Sequence, residues 1–158
     1  MSEQKWIKVR ADFESALKHF GMSKKISDTE DLDEDSLHGY AARMALMRSL
    51  SIGYTALESG LKRTLKVIGE ALPIGDEWQH DLLKRAAMAF ENDRPAIISK
   101  ETYQLANKVR RFRTIAYTRY NEFVPAKSKN ALEAAEELSK AIMPELEQFI
   151  SIIDPKMD

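Results

Sequence analysis

The chain has 158 residues, of which 44% are hydrophobic and 31% charged, and a formal net charge of −1. This is enough for one domain with a continuous core, and the near-neutral balance excludes a coat-type nucleic-acid binder whose whole surface is basic. The lack of cysteine excludes disulfides and zinc–thiolate sites. Together with a polar amino terminus and no apolar run near the roughly 18 residues of a membrane span, it leads us to expect a cytoplasmic protein with no membrane partner.

Trp6, Val9, Phe13, Ala16 and Phe20 recur at three- and four-residue steps and predict an amphipathic N-terminal helix over 1–20, stopped at Gly21. Residues 21–36 contain Asp28, Glu30, Asp31, Asp33, Glu34 and Asp35 and read as a polar linker. Asp31, Asp33 and Asp35 have the spacing of a calcium loop. Ser36 stands where that loop needs Gly and Ala42 where it needs Glu, so the metal reading fails.

Residues 37–153 read as the bundle proper. A long helix from about Leu37 to Glu70 carries Tyr40, Met44, Met47, Tyr54, Leu61, Leu65 and Ile68 on one stripe, with Glu58 among them. A carboxylate there is either partly buried or paired, and its structural role would be to hold an arginine. Leu72-Pro73-Ile74-Gly75 ends that helix, and Asp76 with Gln79 resembles a capping box for a helix over 77–90 bearing Trp78, Leu82, Leu83 and Ala86.

Arg94-Pro95 breaks the chain, and Ser99 is placed to cap the next helix, whose core stripe is Leu105, Val109, Phe112, Ala116 and Phe123. Thr114 points away from that stripe, with Arg110, Tyr117 and Thr118 to either side and Arg113 and Tyr120 on its edge. After Pro125 a last helix shows Leu132, Ala135, Ser139, Ile142, Leu146, Phe149 and Ile153, and Pro144 should kink or divide it. The expected fold is an all-α antiparallel bundle of about five helices in a single domain over 1–158.

Arg110, Arg111, Arg113 and Arg119 fall within ten residues of a nearly neutral chain. Such a concentration is an anion-facing surface, and phosphate is the commonest large anion it meets. The same stretch holds Tyr117 and Tyr120 but no histidine, cysteine or carboxylate. Its threonines and tyrosines suit a polar dimer interface or a phosphodiester groove, while a solvated face pairing with nearby glutamates is the bland alternative. Glycine-rich phosphate loops are absent, and His19, His38 and His80 fall on separate predicted elements without metal-ligand spacing, so no metal or cofactor is expected.

Tyr54-x-x-x-Glu58-x-x-x-Lys62, Trp78-Gln79-His80-Asp81-Leu82-Leu83, the Arg94-Pro95-Ala96 turn, and Arg111-Phe112-Arg113 leading to Tyr120 follow one another in this order. In order and spacing the chain resembles the HepT-like branch of the HEPN superfamily, with landmarks over roughly residues 50 to 125. The resemblance implies a helical homodimer acting as a metal-independent ribonuclease toxin, neutralised by a minimal nucleotidyltransferase-type antitoxin. The family's site is an arginine, four residues, a histidine, one residue and a tyrosine.

Carried over, the arginine is Arg113 and the tyrosine Tyr120, which is also the residue some members have adenylylated by the partner. The histidine position is Thr118, and Thr114 stands where a second histidine often follows the arginine. Threonine does not titrate near neutrality, so it cannot move the protons of RNA cleavage as imidazole, with a pKa of about 6.5, does. The expectation is therefore an RNA- or partner-binding member with a degenerate nuclease centre. Arg110, Arg111, Arg113, Tyr117 and Arg119 would be its nucleic-acid contacts. An active ribonuclease using His80 or a tyrosine across the dimer interface, a helical module that binds only protein, and a purely structural bundle stand as alternatives.

Overall fold

The computed structural model describes residues 2–118 and 125–155, and the side chains of 3–115 and 128–155. Five helices pack together: α1 (Ser2–Thr29), α2 (Leu37–Val67), α3 (Trp78–Ala86), α4 (Lys100–Thr118) and α5 (Pro125–Ile153). Among the described residues there is no strand, only an isolated bridge between Phe90 and Arg94.

α1 and α2 form the antiparallel pair at the centre of the fold. Trp6, Val9, Phe13, Ala16 and Phe20 are buried against Leu46, Leu50, Tyr54, Leu57, Leu61 and Leu65. Each fully buried large apolar side chain contributes about 1.5–3 kcal/mol. The approach is close because α2 offers glycines. A Cβ on Gly60 would stand 2.5 Å from the Phe13 ring, and one on Gly53 would stand 2.6 Å from the Phe20 ring.

The first helix does not stop at Gly21. It runs eight residues further, to Thr29. Gly21 faces open space, where a helical glycine costs only about 1 kcal/mol relative to alanine. The three-and-four step continues through buried Ser23 to Ile26, which packs on the core. Ser23 bonds the His19 carbonyl and meets Ser49 Oγ of α2 at 2.8 Å, and Lys24 pairs with Asp28 at 3.2 Å. The linker is thus only the short turn before Ser36, which caps α2 by accepting from Gly39 N.

Tyr40 departs from the expected stripe and is exposed. In the antiparallel register set by Phe13 opposite Gly60 and Phe20 opposite Gly53, position 40 faces a point beyond the end of α1. The third helix is shorter than expected, ending at Ala86, and its N-cap is Glu77, with no side-chain cap. The Asp76–Gln79 capping box is therefore not formed. α5 passes through Pro144 as one helix. It lies antiparallel to α1, with the Trp6 indole donating to Asp154 and Arg10 pairing with Glu147 at 2.7 Å.

Two polar clamps fix the position of α4. Ser99 caps it as its sequence suggests, accepting from Thr102 N at 3.1 Å. Glu145 of α5 adds a carboxylate at the same helix start, accepting from Ser99 N at 2.6 Å and Thr102 Oγ1 at 2.6 Å, where the helix dipole favours negative charge. Before α4, Arg94 is buried and makes a two-pronged pair with Glu70, at 2.6 and 3.0 Å. It also donates to the carbonyls of Arg85, Met88 and Pro95. The Arg94-Pro95 turn is therefore tied to the end of α2 by a guanidinium whose surrounding acceptors offset its burial.

Candidate functional site

α4 packs on α2 along the edge that carries its arginines. Tyr54, Glu58 and Lys62 lie one turn apart on α2, and each meets a landmark from a distant part of the chain. Arg113 donates through Nη2 to Glu58 Oε2 at 3.2 Å and through Nη1 to Thr55 Oγ1 at 3.1 Å. Its guanidinium also covers the Tyr54 ring, 4.5 Å from the centroid. Lys62 sits 4.0 Å over the Trp78 ring of α3. A cation over an aromatic face is attracted by the ring quadrupole, so the seam is held by two such contacts with one ion pair between them.

The side chains of the pair are 12% exposed for Arg113 and 8% for Glu58. Glu58 therefore has the role its place on the apolar stripe suggests, and Arg113 is the arginine that it holds. The Tyr54 hydroxyl is buried and has no hydrogen-bond partner among the described residues. Burial, and then the Glu58 carboxylate, push its phenol well above the usual range, against the opposing pull of Arg113 and Arg110.

Arg110 lies one turn before Arg113 and bends back along α4, donating from Nε and Nη2 to Asn107 Oδ1 at 2.9 and 2.8 Å. Long helical side chains lean toward the N-terminus, which brings its charge toward the end of α4 that meets α3. There His80 Nε2 and Tyr103 Oη are 2.7 Å apart and their rings stack, with centroids at 6.1 Å and planes 21° apart. Burial, and then the charges of Arg110 and Lys84, hold the His80 imidazole below its ordinary pKa and favour the neutral ring.

The expected site residues are thus distributed unevenly. Arg111 and Thr114 are exposed on the outer face of α4, Arg110 is half-buried, and Arg113 is turned inward. Tyr117 and Thr118 belong to the last turn of α4, with side chains outside the described residues, and Arg119 and Tyr120 lie outside them altogether. The His80–Tyr103 and Lys62–Trp78 pairs were not legible as contacts. Only the recurrence of Lys62, Trp78 and His80 among the ordered landmarks pointed to them. Among the described residues no group of three histidines or carboxylates is placed to hold a metal ion.

The helices that build this seam are the ones a family model recognises. A model for HepT-like proteins matches residues 45–153, from the third turn of α2 to the end of α5. The chain belongs to the HepT-like protein family. No curated protein and no solved structure matches it significantly. The HepT-like match leaves out all of α1, although that helix supplies much of the core against α2. Among the described residues of this HepT-like protein, no helix is long and apolar enough to cross a membrane.

Proposed function

We propose that this HepT-like protein is the RNA- or partner-binding component of a toxin–antitoxin-type module, with a ribonuclease centre that has lost its acid–base group. The observation that carries the reading is the state of the α4 arginines. Arg110 has no carboxylate within ion-pair distance among the described residues, and Arg111 is exposed beside it. Arg113, at the position of the family's arginine, is anchored between Glu58 and Tyr54. The helix from Lys100 to Thr118 contains no histidine, and threonine stands at 114 and 118. Such a face attracts a phosphodiester and has nothing that titrates near neutrality with which to break it.

On this reading the protein is a homodimer in which two copies of α4 face one another, Tyr120 is the residue a minimal nucleotidyltransferase-type antitoxin would modify, and Tyr117 and Arg119 extend the contact surface. The test is RNA cleavage in EDTA by the wild-type protein and by Thr118→His. Loss of a general acid–base group removes about 10²- to 10⁴-fold of rate, so the wild type should be nearly inert and the variant should gain metal-independent cleavage. Wild-type cleavage that survives EDTA and is abolished by Arg113→Ala would overturn the reading in favour of an active endoribonuclease. Sedimentation as a monomer at micromolar concentration would count against the dimer.

A further inference from the structure

At the α3 end of the seam Arg110 and Lys84 act on the His80 imidazole more strongly than the nearby carboxylates of Glu77 and Asp81. His80 and Lys84 lie one turn apart on α3, and Tyr103, Asn107 and Arg110 lie at successive turns of α4. Nε and Nη2 of Arg110 are committed to Asn107 Oδ1, which fixes the guanidinium plane and leaves Nη1 without an acceptor among the described residues. Neither Arg110 nor Lys84 forms an ion pair with a described carboxylate. We propose that Tyr103, Arg110 and Lys84, with His80 behind them, form a binding site for a phosphate-ester anion.

The geometry gives each group a task. A guanidinium braced on one edge presents its other edge as a fixed donor, and an ammonium supplies a mobile point charge. The Tyr103 hydroxyl has one proton, and His80 decides where it points. When Nε2 carries a hydrogen it donates to the phenol oxygen, and the phenol proton turns outward to the anion. When Nε2 is bare it accepts that proton and the site loses a donor.

The charged groups facing the ring are Glu77, Asp81 and Lys84 on α3 and Arg110 on α4. With burial and the two cations outweighing the two carboxylates, the empty site favours neutral His80. An arriving phosphate reverses that balance, so binding draws a proton onto the imidazole and tightens as pH falls. The site shares no residue with positions 113, 118 and 120, and the cleavage experiment above can fail without touching it.

The imidazole proton signals of His80, assigned with His80→Asn, report binding directly. Inorganic phosphate and adenosine monophosphate should each shift them saturably and raise the pKa of His80, while adenosine should not. Arg110→Gln should weaken the response about tenfold, as expected for one charge-assisted hydrogen bond, and Lys84→Gln should weaken it less. Arg10→Gln, at the distant α1–α5 ion pair, should leave it unchanged. A short RNA with and without a terminal phosphate identifies the source. A response confined to the phosphorylated strand assigns a monoester, and an equal response assigns the chain's diesters. Signals that do not move up to tens of millimolar phosphate, or that move equally in wild type, Arg110→Gln and Lys84→Gln, would overturn the proposal.

Discussion

Glu58 and Arg113, 55 positions apart in the chain, meet as a nearly enclosed ion pair with 3.2 Å between Oε2 and Nη2. Removing one partner of such a pair strands the other charge. Arg113→Ala should cost about 3–5 kcal/mol, whereas replacing both residues by apolar side chains of similar volume should be nearly neutral. Thermal melts of the single and double variants check this. A single variant as stable as the wild type would mean that solvent reaches Glu58 easily.

The half-buried Arg110 and the exposed Arg111 should behave differently from Arg113. If Arg110 and Arg111 contact phosphates of single-stranded RNA, each contributes about 0.7 to the slope of log affinity against log salt. Arg111→Ala should lower that slope by roughly this amount and leave the melting temperature unchanged, because the side chain lies on the outer face of α4. Fluorescence titrations at four or five salt concentrations measure it. An unchanged slope would remove Arg111 from the contact surface.

Tyr54→Phe should be neutral or stabilising by about 1 kcal/mol. The hydroxyl is buried without a partner among the described residues, so its removal gives up no described bond and relieves a desolvation cost. The ring remains under Arg113. A loss of stability on chemical denaturation would mean that the hydroxyl is bonded by a group outside the described residues.

Acid should act on His80 and His38 in opposite senses. The folded-state pKa of His80 lies below its ordinary value of 6.5. The unfolded chain therefore binds the proton more readily, and stability falls as pH drops from about 6.5 toward the folded pKa. His38 is raised, chiefly by its hydrogen bond to Glu30. Its contribution is complete below about 6.5 and is lost as pH rises through the folded pKa. Urea melts at pH 7.5 and 5.5 should show a smaller acid loss in His80→Asn than in wild type, and a larger one in His38→Asn. The reverse ordering would contradict both assignments.

Gly60→Ala should destabilise the fold even though alanine favours a helix by about 1 kcal/mol. Its Cβ would meet the Phe13 ring at 2.5 Å, and overpacking of a full core costs about 1–3 kcal/mol. The same substitution at Gly21, where no atom lies within 4 Å, should instead stabilise. Equal effects at the two positions would show that the α1–α2 interface yields easily.

Periodicity revealed the helices because each buries one face, and it placed Glu58 on the apolar stripe, where a carboxylate is partly buried or paired and an arginine is the fitting partner. It failed at Gly21, where residue type outweighed a step pattern that Ser23 and Ile26 continue. It also failed at Asp76–Gln79, since a capping box needs a backbone geometry that composition does not determine. The meeting of His80 with Tyr103 depends on how α3 crosses α4, which no local pattern encodes. Arg113 was visible as a flank position, and its choice of Glu58 over solvent emerges only when α2 and α4 are packed.

Phe13 and Phe20 are spaced by seven residues, as are Gly53 and Gly60 opposite them. Sliding α1 by one turn would set the two rings against Ala56 and Ser49, or against Thr64 and Leu57, and every one of these carries a Cβ. Sliding it by two turns would return one ring to a glycine and drive the other into Leu46 or Val67. The two helices therefore work like a vernier with a single coincidence: one alignment seats both rings at once. A mispaired chain would be rejected by steric overlap, before any of the seam's charges come into play.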